Sequence, residues 1–206
     1  VQLIFVSISS VLLIAGSKVW GPSSFERKRA LIAPPPHMEY FSFGFHEVVA
    51  DSLWIRAIQD FDYCENEVSK NICRGNSWLY QMLDTVTTLS PHFRMPFATG
   101  AVALSVIITD VEGASKIFDK AVRTFPKDWP ILYRAAYHAL LEEKNKEKAA
   151  RLLIASAEAG GGEWFYSLAQ RLYLDEGQRE LAMRLYEDLR AQGFDEGVLK
   201  RMKSRF

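Results

Sequence analysis

The sequence predicts an all-α protein, a short solenoid of helical hairpins behind an N-terminal membrane-targeting helix, and three observations carry that expectation. Small residues recur at Ala114, Ala149 and Ala182, spaced 35 and 33 residues apart. Each is followed one helical turn later by a bulky residue, Phe118, Leu153 or Tyr186. Each is preceded by a polar turn, Thr109-Asp110, Lys144-Asn145 or Gly177-Gln178, with a further helical pattern upstream: Phe97 and Ala101, then Tyr133, Ala136 and Leu140, then Tyr166, Ala169 and Tyr173. Self-similarity at such a period is the mark of stacked supersecondary units. The composition agrees with a folded chain, since 49% of the 206 residues are hydrophobic and 24% charged. With 25 basic and 25 acidic residues the formal charge is zero, so no general attraction draws the chain to nucleic acid, and none is expected as a partner.

The first twenty residues differ from the rest. Leu3 to Gly16 is apolar apart from three serines, and Lys18 and Trp20 then mark an interfacial edge. The run of about 14 uncharged residues suits a signal-peptide core, whereas counting on to Trp20 gives about 19, enough to span a bilayer. Residues 1–20 are therefore read as a signal anchor or a signal peptide, with membrane contact through residues 3–20. Ile14-Ala15-Gly16 resembles a lipobox, but Ser17 stands where the acceptor cysteine would be, so lipidation is not expected. Residues 21–40 read as a tether, opening with Gly21-Pro22 and ending in the extended Pro34-Pro35-Pro36.

Orientation has two opposed signals. Lys18, Arg27, Lys28 and Arg29 follow the apolar run, which favours a cytoplasmic body. Against this, Cys64 and Cys73 are the only cysteines and lie in one polar segment. A disulfide between them would close a short loop, which is useful only in an oxidising compartment; the alternatives are two unrelated thiols or, less well supported, a metal site, for which two ligands are too few. The balance favours a soluble domain on the periplasmic or extracytoplasmic face.

The repeated unit explains itself physically. One hairpin cannot bury its apolar face alone, so hairpins stack, and small residues at the crossings let helices approach. The best unit runs from Met95 to Lys127, closing with Pro126, and Glu163 to Asp195 fits well. The unit from Pro130 to Ala159 departs, with Tyr137 where a small residue is usual and Gly160-Gly161-Gly162 where a proline would close it. An earlier unit can be built around "SLWIRAIQDF" and "WLYQMLDTVTTLSP", its turn expanded into the cysteine-bearing insertion, residues 61–77. On these residues, roughly 46 to 194, the chain resembles the tetratricopeptide repeat (TPR) superfamily, and "ADSLWIRAIQDF" with "LYQMLDTVTTLSPHFRMPF" resembles membrane-anchored bacterial TPR proteins. The resemblance implies a right-handed superhelix over residues 41–206, with residues 195–206 as a capping helix.

Superhelical placement exposes a groove along the first helix of each pair: Thr99, Ala103 and Val106, then Arg134, His138 and Leu141, then Trp164, Ser167 and Arg171. Val106-Ile107-Ile108 stands out, because three consecutive β-branched apolar residues cannot all face one core.

No catalytic constellation is legible. His46-Glu47 begins like a zinc-protease helix, but Ala50 replaces the second histidine. Gly160-Gly161-Gly162 lacks the Lys-Ser/Thr pair of a phosphate loop, and the acidic pairs Glu142-Glu143 and Asp175-Glu176 read as solvated turns. The expectation is a non-enzymatic, membrane-tethered scaffold without a cofactor. Its expected partner is a protein, another subunit of an envelope complex such as a pilus, flagellar, secretion or motility machine. A cytoplasm-facing adaptor is the alternative.

Overall fold

The computed structural model describes residues 31–60 and 73–206. The chain divides at Leu31 into two units, and the second, Ile32–Phe206, holds every element that follows. Among the described residues all regular structure is helical. A short 3₁₀ turn, Met38–Phe41, precedes α1 (His46–Gln59) and α2 (Trp78–Leu89). The third helix, α3, is composite: π-helical turns at Pro96–Gly100 and Leu104–Ile108 flank the α-helical Ala101–Ala103. Then come α4 (Val111–Thr124), α5 (Trp129–Leu141), α6 (Lys146–Glu158), α7 (Trp164–Asp175), α8 (Arg179–Ala191) and α9 (Glu196–Lys203).

The helix starts follow from their sequence. Ser77, Asp110, Asp128, Asn145 and Asp195 each accept a hydrogen bond from a backbone N–H in the first turn they precede, at Tyr80, Gly113, Ile131, Lys148 and Val198. These caps satisfy donors that have no partner inside the helix. The turns between paired helices share one geometry. Thr109 (φ 63°), Lys144 (φ 58°) and Gly177 (φ 71°) each adopt the left-handed conformation immediately before the next helix begins. They recur 35 and 33 residues apart, so the period seen in side chains is also written in the backbone. Glycine takes this conformation without penalty, whereas Thr109 and Lys144 take it at some conformational cost.

From α2 onward short connections join the helices, and the helices pack in sequence-adjacent pairs: α1 with α2 across the long insertion, α5 with α6, α6 with α7, and α7 with α8. Ala114, Ala149 and Ala182 are all fully buried, as small residues at helix contacts should be. Gly100 serves the same end in α3, because a Cβ there would lie 2.6 Å from Leu83 Cδ2 of α2. One core cluster joins Ala136 and Ala139 of α5 to Ala149 and Leu153 of α6 and Phe165 and Ala169 of α7. A second places Val198 and Met202 of α9 against Tyr166 and Leu189, so the last helix closes the exposed side of the final pair while Lys200, Arg201 and Lys203 stay in solvent.

Ile32, at the start of the second unit, meets α2. The buried Trp78 indole N–H needs an acceptor and finds the Ile32 carbonyl at 3.1 Å. No helix among the described residues is long and apolar enough to cross a membrane; the apolar segment 3–20 lies outside them.

Candidate partner-binding groove

The nine groove residues predicted from sequence fall into three groups. Thr99, Val106, Leu141, Trp164 and Arg171 are exposed, Ala103, Arg134 and Ser167 are partly exposed, and His138 is buried. The local chain explains Val106. In the second π turn of α3 the Leu104 carbonyl accepts from both the Thr109 and the Asp110 N–H, the latter at 3.0 Å, so the turn is wider than an α-turn. Within it Ile108 is fully buried, while Val106 is 68% exposed and Ile107 also faces outward.

Four of the nine come together. Val106 of α3 and Arg134, His138 and Leu141 of α5 line a notch of about 50 Å³. Tyr137, exposed on α5, forms part of its wall. The tyrosine that departs from the repeat pattern therefore points to solvent and needs no small neighbour. Arg134 Nη1 donates to the Ala98 carbonyl at 3.3 Å, which fixes the guanidinium across the notch without withdrawing it from solvent.

An aromatic strip continues from the notch. The Tyr133 ring lies 6.4 Å from that of Tyr137 and 6.0 Å from that of Trp164, and the Trp164 and Phe165 rings lie 4.1 Å apart, tilted by 45°. Further along α7 the C-terminal segment packs beside the helix, while Arg171 stays exposed. The Gln170 amide donates to the Met202 carbonyl at 3.1 Å, and the Arg205 guanidinium donates to the Ser167 carbonyl, so the C-terminal segment lies along the line from Ser167 to Arg171. Trp164 is thus the last broad apolar surface on this side.

His138 is the clear departure from the sequence expectation. It is only 4% exposed, with Nδ1 at 2.9 Å from Ser105 Oγ of α3 and Nε2 at 2.9 Å from Ser115 Oγ of α4. The Phe118 ring lies 5.0 Å from it. Burial pushes the imidazole below its ordinary value, although Glu143 and Glu142 pull the other way. Both ring nitrogens are occupied by hydroxyls, so this histidine ties α3, α4 and α5 together beneath the notch.

Glu143 is likewise not the solvated charge its position suggested. Its carboxylate lies 3.7 Å from His138 Nε2 and accepts from Lys148 Nζ at 2.9 Å, and Lys148 also pairs with Asp119 at 2.9 Å. Burial alone would raise the Glu143 carboxyl, but hydrogen bonds from Lys148 and Ser115 outweigh it and hold it below the ordinary range. Lys148 is the converse: burial would lower it, and its two carboxylate partners keep it raised.

Two sets of residues escaped sequence reasoning. Ser105, Ser115 and Lys148 carry no spacing signal, because they meet only when three helices pack. Asp110 is the other case. Its carboxylate is 1% exposed and accepts from the Gly75 N–H (2.7 Å), the Ser77 hydroxyl (2.6 Å) and N–H (3.2 Å), and the Gly113 N–H (2.9 Å). It fastens the end of the insertion to the start of α4. Gly75 and Ser77 lie 35 and 33 residues before it, so no local pattern announces the contact.

His46 and Glu47, the rejected zinc motif, bond to Ser42 and Ser90. No group of three or more His, Cys, Asp or Glu among the described residues is placed to hold a metal. Cys73 is buried where the insertion returns to the body, and Cys64 lies outside the described residues.

No family model, curated protein or solved structure matches the chain. The functional reading therefore rests on the groove itself.

Proposed function

We propose that the chain is a membrane-tethered protein-interaction scaffold that grips a protein partner through the notch and aromatic strip spanning α3, α5 and the start of α7. The observation that carries this reading is a run of exposed apolar side chains, Val106, Tyr137 and Leu141 around the notch and then Trp164, which is linked to Tyr137 through Tyr133. A patch of this kind on a folded body is costly to leave in water and marks a contact surface, and its Trp, Tyr and Arg content is that of interface anchors. The recurring left-handed turns at Thr109, Lys144 and Gly177 support a right-handed, TPR-like solenoid as its framework. In this reading the scaffold is non-enzymatic, takes no cofactor, is held at a bacterial inner membrane through residues 3–20, and serves an envelope complex from the periplasmic side. The orientation rests on the expectation that Cys64 and Cys73 are bridged.

Cross-linked capture from membranes tests the groove. Recovery of a specific protein is expected with the native chain, and is expected to vanish with Val106→Asp, Trp164→Asp or charge reversal at Arg134, while Met183→Asp on exposed α8 leaves it intact. Recovery that survives all three groove changes in a protein of unchanged helicity would move the contact surface elsewhere.

A further inference from the structure

The segment before α1 holds a feature that the groove does not use. Tyr40, Phe41, Phe43 and Phe45 are all exposed, Phe43 at 85% and Tyr40 at 77%. Four outward aromatics in six residues would ordinarily turn inward, but here the backbone prevents it. Ser42 is buried, donates to the Glu39 carbonyl at 2.9 Å and lies 2.6 Å from His46 Nδ1. The Tyr40 N–H donates to the His37 carbonyl and the Phe45 N–H to the Ser42 carbonyl, at 3.1 and 2.7 Å. Phe43 itself is held at φ 48°, a conformation rare for an aromatic residue, and Gly44 follows at φ 87°. The loop is thus internally bonded into a convex wedge with its polar atoms inside and its rings outside. Val48, exposed on the first turn of α1, extends the apolar surface.

We propose that loop 40–45 is a membrane-contact element that seats its aromatic rings at the headgroup–acyl boundary of a lipid bilayer. A protruding apolar wedge suits that boundary, which yields to it, whereas a protein partner would have to supply a matching pocket. Tyr40, an aromatic ring with a polar end, favours this depth, and the three phenylalanines add apolar area to bury beside it. Chain length permits it: from Gly21 to Tyr40 the chain can span at most about 70 Å, so in a body tethered by residues 3–20 this loop stays within that reach of the bilayer. The proposal rests on the tethered reading for its geometry, but its chemistry does not require the anchor.

The full chain carrying Phe43→Trp, and separately Tyr40→Trp, is reconstituted with phosphatidylcholine vesicles whose acyl chains are brominated or not, and the emission of the native protein is subtracted. Flotation of the vesicles reports the anchor, and quenching of the added tryptophan reports the loop. The expected result is blue-shifted added emission that falls by about half on brominated vesicles. Quenching without stable flotation would support the loop and defeat the anchor. Added emission unaffected by bromine in both variants overturns the proposal, whether it stays water-like or is blue-shifted by protein contact, including contact with a second copy.

Discussion

Single buried polar groups join separate helices of this structure. Asp110 is the strongest case, because removing its carboxylate strands donors at Gly75, Ser77 and Gly113 inside the body. Asp110→Ala is expected to lower stability by about 2–4 kcal/mol in denaturant unfolding. Asp128→Ala is the instructive contrast. That carboxylate caps α5 and pairs with Arg94, which draws it below the ordinary carboxylate value, yet the Arg94 side chain is about half in water. The loss there should be nearer 1 kcal/mol. His138 predicts a pH dependence. Its folded-state value is depressed from 6.5, so between the two values the unfolded chain binds more protons than the folded one. Stability should be full above that ordinary value and decline as the pH falls below it. A thermal melting series from pH 7.5 to 5.5 should show this decline, and His138→Asn, though less stable throughout, should flatten it. The window lies above that of Glu143, whose depressed carboxyl yields only in more acid solution.

At the scale of elements, the alanines define where helices meet. Ala114→Phe or Ala149→Leu should overpack a fully buried site and cost about 1–3 kcal/mol, read as a lower melting temperature with the helical signal retained below it. Most helices and their pairing were legible because period and caps agree: Ala114 with Asp110, Ala149 with Asn145, and Asp195 opening α9. The outward turn of Val106 was legible from crowding among β-branched residues. The π turns of α3 were not, since nothing in "PFATGAVALSVII" distinguishes a widened turn from an α-turn until Gly100 is seen beneath Leu83. The place of His138 was missed for a related reason. A histidine on a first-helix face looks available, and only the convergence of Ser105 and Ser115 from two other helices takes it inside. Glu143 followed it inward, because Lys148 reaches back across the turn.

For the whole molecule, the orientation can be decided chemically. Non-reducing peptide mapping of protein taken from membranes should yield Cys64 and Cys73 as one linked pair, and two alkylatable thiols would reverse the proposed side of the membrane. The recurrence of a left-handed residue followed by the residue that opens the next helix, at Thr109-Asp110, Lys144-Asn145 and Gly177-Gln178, bears on how this chain can change in length. Equivalent points on the backbone are interchangeable splice sites. Joining Thr109 directly to Asn145 would excise residues 110–144 and leave a junction already shaped like the one it replaces, so the shortened chain should remain helical while losing the notch. Such an array can gain or shed a module by an in-frame event without new turn chemistry, and its length is then a variable that selection can adjust separately from its binding surface.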